Sequence, residues 1–186
     1  SQALRVVRAA GGQLNADDAG SSVANNLIKN NDDYDSTLSF PVGSTWAAKY
    51  PGALGNAISV DVCSAGTGFT GWTYEKLFSA APGTSTFATG LGITSDEVHV
   101  VVTDASGAIS GTAGTVLEIY SNLSQLADAK KTNGSNNYYK DVVNTQSEWV
   151  RWTGHSAVDL TQAGALSTVV TGAMDTRTAV ISTVLS

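Results

Sequence analysis

Two runs of alternating apolar residues, separated by turn chemistry, constrain this chain more than any other feature. Residues 96–103 carry Val98, Val100 and Val102 at every second position. Residues 115–121 return with Val116, Glu118 and Tyr120 set against Leu117 and Ile119. A period of two is the repeat of a β-strand, whose side chains point to opposite faces in turn. Asp104-Ala-Ser-Gly107 between the runs has the residues of a turn. The pair is therefore predicted to form a β-hairpin with a long, glycine-bearing connection over about 105–114.

Other segments build outward from that hairpin. Ile58, Val60 and Val62 alternate over residues 57–63 and predict a further strand, preceded by a turn at Gly55 and Asn56. Residues 149–152, with Trp149, Val150, Arg151 and Trp152, predict a short strand. Ser135 or Asn136 is placed to cap a helix over 138–145, with Tyr138, Val142 and Thr145 on one side and Tyr139 and Val143 on the next. Residues 44–52 are expected to form a short helix or turn ended by Pro51 and Gly52. Leu123, Leu126 and Ala129 have the spacing of one helical face. Residues 72–80 suit a strand or a turn of helix equally, 81–85 a turn, 86–92 a loop, and 130–135 an exposed loop.

The fold class expected is α+β: a β-rich module with a long-loop β-hairpin and a few short helices, part of a larger multidomain subunit. Residues 1–10 are expected to be a strand from a truncated preceding region, because the run from Ala3 to Ala9 begins abruptly. Residues 11–45, rich in Gly, Asn, Asp and Ser, are expected to be a linker or surface excursion, with an ordered stretch at 23–28. Residues 46–155 form the module. Residues 156–186, monotonous in Ala, Thr, Val and Ser and ending on an apolar run, are expected to be the truncated start of a following region.

Charge narrows the function. Charged residues make up 14% of the chain, where about 25% is ordinary, and 19 glycines with many Ser and Thr fill the gap. The net charge of -6 and pI near 4.6 leave no basic stripe for a phosphate backbone, so direct nucleic-acid binding is disfavoured. The longest apolar run, 98–102, is interrupted by His99 and far too short to cross a bilayer, so no membrane insertion is expected. A single cysteine, Cys63, allows no internal disulfide and is expected to be a small buried strand residue in a reducing compartment.

The groups able to do chemistry fall short of a site. Gly66-Thr-Gly-Phe-Thr-Gly71 matches G-x-G-x-x-G after a predicted strand. However, Phe69 and Trp72 crowd the place of a phosphate, and no strand ends in an acidic residue about 20 positions on. His99 lies in a strand and His155 at a strand end, without a partner for acid–base work. The acidic run Asn31-Asp-Asp-Tyr-Asp35 lacks the glycine and distal glutamate of a calcium loop and is expected to be a solvated loop. Two glycosylation patterns, at Asn122 and Asn133, arise easily in a chain this rich in Ser and Asn. The four tryptophans, Trp46, Trp72, Trp149 and Trp152, suit core or subunit contacts, and also suggest sugar stacking. No catalytic, cofactor-binding or metal-binding residue is assigned, and no cofactor is expected.

Several segments taken in order resemble the tail sheath proteins of contractile-tailed bacteriophages, in particular the T-even-like and marine myoviruses. They are Leu4-Arg-Val-Val-Arg-Ala9, Leu27-Ile-Lys-Asn-Asn-Asp-Asp-Tyr34 and Trp46-Ala-Ala-Lys-Tyr-Pro-Gly-Ala-Leu-Gly-Asn56. Further on come Asp96-Glu-Val-His-Val-Val-Val102, Ile109-Ser-Gly-Thr-Ala-Gly-Thr-Val-Leu-Glu118, Asp128-Ala-Lys-Lys-Thr-Asn-Gly-Ser-Asn-Asn-Tyr-Tyr139 and Asp141-Val-Val-Asn144. The resemblance spans most of residues 3–153 and fades beyond 156.

The resemblance implies a structural protein and no enzyme. Sheath subunits stack as helical rings around a tail tube and contract during injection, through contacts that repeat head to tail without closing. The implied partners are other copies of the chain, the tail tube protein, and the baseplate and tail terminator proteins. The implied location is the virion, assembled in the host cytoplasm. A complete subunit of that family is much longer, and the extended arms by which its members add strands to neighbours are not identifiable here. The alternative is a carbohydrate-binding or adhesin-like β-module of a virion or surface protein.

Overall fold

The computed structural model describes residues 28, 30–36, 46–65, 68–153 and 175–177. The strand expected over 1–10, all but Ile28 of the ordered stretch at 23–28, and the apolar end after 178 lie outside the described residues. Within them the architecture is α+β: two open antiparallel sheets and a few short helices.

The larger sheet is built on the valine alternation. Strands β2 (Ile58–Ser64), β3 (Glu97–Asp104), β4 (Thr115–Ser124) and β6 (Asp175–Arg177) lie in the order β4-β3-β2-β6. Val60 pairs with Val102 and Val62 with Val100, so these side chains emerge on one face. That face packs on Trp46, Tyr138, Tyr139, Val142, Val143 and Val150 in the main core. Val60, Val100 and Val102 are fully buried, and each such burial stabilises the fold by about 1.5 kcal/mol or more.

The opposite face carries Cys63 and Val101. It is covered by the aromatic segment Phe69, Trp72, Tyr74 and Phe78. Residues 72–80 are therefore neither strand nor α-helix. They are a chain of turns with one 3-10 turn at Glu75–Leu77, held in place by ring packing. With both faces covered, the alternation that defines β2 does not separate an apolar side from a solvated one.

β3 and β4 form the expected hairpin, and β4 runs three residues beyond its expected end at 121. Register slips between Val98 and Val100, which face Leu123 and Tyr120, leaving Ser121 and Asn122 opposite His99. Asn122 takes a positive φ of 52°, a conformation Asn tolerates better than most residues. Its N–H turns to His99 Nδ1 at 3.1 Å. This bulge carries the strand past the point where alternation fails.

The connection at 105–114 is organised by the buried Asp104. Its carboxylate accepts from the N–H groups of Gly107, Ile109 and Ser110 at 2.8, 2.9 and 2.7 Å, and from the Ser110 hydroxyl at 2.8 Å. Burial by itself raises the Asp104 carboxyl. The donors on Ser110, Ile109 and Gly107 outweigh it and hold the group below the usual carboxylate range. Gly107 has φ +82°, and a Cβ there would meet Ala113 N at 2.7 Å, so only glycine fits.

The second sheet pairs β1 (Trp46–Ala48) with β5 (Val150–Trp152), Trp46 opposite Trp152. The helix or turn expected over 44–52 is thus a strand at 46–48. Its hydrogen-bonding partner comes from more than a hundred residues away, which no local pattern reveals. Helix α3 (Tyr139–Gln146) lies one residue from its expected bounds. Asn136 Oδ1 accepts from Tyr138 N at 2.9 Å, and Asn136 Nδ2 donates to Asp141 Oδ2 at 2.9 Å, clamping the start of the helix. At its end Ser147 donates to Glu118 Oε2 at 2.7 Å, and Glu118 Oε1 accepts from Glu148 N at 2.7 Å. α3 is thereby tied to β4.

Two further helices replace expected loops. α1 (Asn31–Ser36) starts where Asn30 Oδ1 accepts from Asp33 N at 2.8 Å. α2 (Thr86–Gly90) is capped by Ser85, whose Oγ accepts from Ala88 N at 3.1 Å. Conversely, residues 126–129 are one turn and no α-helix. Leu126 and Ala129 are nonetheless buried together, against Ala88.

Candidate functional site

Among the described residues, His99 and Cys63 are both engaged in the core. His99 is fully buried on the aromatic side of the sheet and stacks on Phe78, with centroids 4.0 Å apart and planes 3° from parallel. Its Nε2–H donates to Ala80 O at 2.9 Å, and its Nδ1 accepts from Asn122 N. Both ring nitrogens are thus spent on backbone, and the tautomer is set by those two bonds. Cys63 is buried beside it, and burial pushes its thiol up, away from the reactive thiolate.

In the glycine motif, Gly66 and Thr67 lie outside the described residues, as does His155. Over 68–71 the chain makes turns. The Gly71 N–H donates to Glu75 Oε2 at 2.8 Å. Phe69 lies over His99 and Trp72. The loop folds onto its own aromatic cluster.

The acidic run at 31–35 is helical and docked, contrary to the solvated loop expected. Asn31 Oδ1 accepts from Arg151 Nη2 at 2.7 Å, and the Arg151 guanidinium lies 5.3 Å from the Tyr34 ring centroid. The Tyr34 hydroxyl donates to Trp152 O and accepts from Asn144 Nδ2 at 2.9 Å. Burial raises the Tyr34 phenol, partly offset by Asn144 and Arg151. Among the described residues no three His, Cys, Asp or Glu side chains gather as a metal site. Nor is any helix among them long and apolar enough to cross a membrane.

The tryptophans divide between the two cores. Trp46 is buried edge-on to Tyr139, and Trp72 is buried and stacked on Phe78. Trp152 donates from Nε1 to Tyr139 Oη at 2.6 Å and carries Lys140 Nζ over its ring at 4.6 Å. These rings form no exposed row of the kind that sugar stacking needs.

What remains at the surface is a set of structured contact features. Among the described residues, β4 stands at one end of the larger sheet, bonded to no strand but β3, with Ile119 half-exposed on it. Such an edge presents backbone donors and acceptors to another chain. The Asp104-tied connection at 105–114 projects beside it, rich in Ser, Thr and Gly. Tyr50 and Leu54 are also exposed.

Over 92 residues, half of this chain, the sequence is 39% identical to a protein named tail sheath protein from Salmonella phage ViI. The relationship is to a sheath protein. The matched stretch is 12% of that protein's length, so the chain spans only a small part of its relative. No protein-family model matches the chain.

Sequence reasoning missed Asp96 and Asp104 as organisers, and only Asp104 has a local signal. Asp104-Ala-Ser-Gly107 is an Asx-turn pattern. Asp96 sits between Ser95 and Glu97 ahead of the valine run, and meets Ser85 and Ser124 only in space. Asp96 Oδ1 accepts from Ser85 N at 2.7 Å, and Oδ2 accepts from the Ser85 hydroxyl at 2.7 Å and from the Ser124 hydroxyl.

Proposed function

We infer that this chain is a segment of the tail sheath subunit of a contractile-tailed phage of the T-even-like or marine type. In this reading it works as a structural protein and turns over no substrate. Copies polymerise as helically stacked rings around the tail tube, and the rings shorten together during injection. Its partners are other copies of itself, the tail tube protein, and the baseplate and tail terminator proteins. It resides in the virion after assembly in the host cytoplasm. The module at 46–155, whose larger sheet takes a further strand at 175–177, belongs to a longer subunit. Residues 11–45 bridge into the module.

The observation that carries this reading is the 39% identity to a tail sheath protein over half the chain. Two structural features support it. The histidine and cysteine among the described residues are locked into the core, and exposed loops such as 105–114 are stiffened by internal hydrogen bonds. Low surface charge lowers the desolvation penalty of interfaces that must break and re-form between two packings of one subunit. Immunogold labelling tests it: antibody raised against the chain should decorate the tail shaft of the virions that encode it, along its whole length. Label on the capsid, on fibres only, or on no virion part contradicts it.

A further inference from the structure

Asn133 is the one asparagine of the chain followed by glycine, in the segment Asn133-Gly134-Ser135. The sugar-acceptor pattern there finds no use in the sheath reading, but the geometry bears on a different chemistry. Residues 131–135 are all exposed, in a tight loop closed by the Lys130–Asn136 bridge. Gly134 has φ +83°, and a Cβ built on it would meet nothing within 4 Å. The Asn133 side-chain oxygen accepts two hydrogen bonds, from Ser135 N at 3.0 Å and from Ser135 Oγ at 2.7 Å.

Two donors on one amide oxygen draw electron density from its carbon. They also lie at the distances that stabilise an oxyanion if a nucleophile adds to that carbon. The nearest nucleophile in sequence is the Gly134 nitrogen, one residue on, where attack closes a five-membered ring. We propose that Asn133 is a self-modification site, at which Asn133 deamidates through a succinimide with Ser135 as its oxyanion donor.

The steps balance without an added reagent other than water. The Gly134 nitrogen gives its proton to solvent base and bonds to Asn133 Cγ. The Cγ–Nδ2 bond then breaks, and the nitrogen leaves as ammonia after taking a proton from water. A water molecule opens the ring at either carbonyl, leaving aspartate or its isomer linked through the side chain. The Gly134 N–H donates to Lys131 O at 2.8 Å, so attack proceeds as this exposed turn opens. The Ser135 bonds to Asn133 span a single residue and do not involve Lys131.

The other described asparagines lack this combination. Asn122 precedes Leu123 in a strand, Asn144 precedes Thr145 in α3, and Asn137 is buried before Tyr138. Each conversion adds one negative charge to an exposed loop, and the isomer adds a backbone atom.

The test is a time course of the intact protein in warm, mildly alkaline buffer, followed by tryptic mapping of residues 132–140. The expected result is the mass increment of an amide-to-acid conversion, localised to Asn133 by fragment ions. It appears as two products of equal mass, accumulates ahead of every other described asparagine, and speeds up with pH. Ser135→Ala should slow the conversion about fivefold without moving the urea midpoint, and Ser135→Thr should restore it. Asn133→Gln should abolish it. Conversion elsewhere first, or none at Asn133, overturns the site. A Ser135→Ala rate equal to or above that of the parent overturns the role of Ser135.

Discussion

Replacing Asp96 gives the sharpest test of how this fold is held together. Its carboxylate is fully buried and joins three separate pieces: the cap of α2 at Ser85, the start of β3, and the end of β4 at Ser124. Asp96→Ala removes all three hydrogen bonds and leaves Ser85 N–H without its acceptor. Hydrogen bonds to a charged group contribute about 1.5–3 kcal/mol each, but such losses overlap, so about 4 kcal/mol is expected for the triad. Asp96→Asn keeps an oxygen for Ser85 N–H. Its amide nitrogen can then donate to the two serine oxygens, which already accept from Ala88 N and Leu126 N. Only the two hydroxyl protons lose partners, and about 2 kcal/mol is expected. With a urea slope of about 2 kcal/mol/M, the midpoints should fall by about 2 M for Ala and about 1 M for Asn, followed by tryptophan fluorescence. An Ala variant unfolded without urea agrees with this, provided the Asn variant gives its graded shift. A midpoint unchanged in Asp96→Ala, or equal shifts in both variants, refutes the reasoning.

Three other outcomes follow from single residues. Because the folded Asp104 carboxyl lies below its ordinary 3.8, its contribution is complete above about pH 4 and is lost as pH falls through the folded value. The difference in urea midpoint between the parent and Asp104→Asn should therefore shrink on acidification below about pH 4, and a difference that grows there contradicts the assignment. His99→Phe keeps a ring to stack on Phe78 but strands Ala80 O and Asn122 N. A loss of about 2–4 kcal/mol in equilibrium unfolding is expected, and a neutral effect would show that the ring bonds contribute nothing. Cys63, buried with its thiol pushed up, should react with a disulfide reagent only after denaturant is added, and stoichiometric labelling of native protein contradicts that burial.

How much of this was legible in the residues depends on whether the cause was local. β2 and β3 declare themselves through valines two apart, β4 through the alternation of Val116, Glu118 and Tyr120, and α3 through paired tyrosines and valines, although its N-cap position is Tyr138 and neither Ser135 nor Asn136. The bulge at Asn122 ends the alternation while the strand continues, so the last turn of the hairpin was lost to pattern and recovered only through His99. β1 has three residues and owes its conformation to Trp152, Arg151 and Val150 across a long separation. α2 depends on a serine cap fixed by Asp96, and the packing of Leu126 on Ala88 imitates helical spacing in a segment that is not helical. The docking of α1 through Tyr34 and Asn31 was not legible, because its anchors, Arg151, Asn144 and Trp152, lie over a hundred residues away.

In the proposed function this polypeptide works by repeating contacts between copies of itself. Electron microscopy of the purified product of the complete reading frame, with no ligand or partner added, tests it most directly. Tubes of stacked, helically rotated rings with a hollow bore are the predicted result. Particles that stay monomeric at every concentration and salt condition, while binding a sugar or turning over a substrate, would contradict the account.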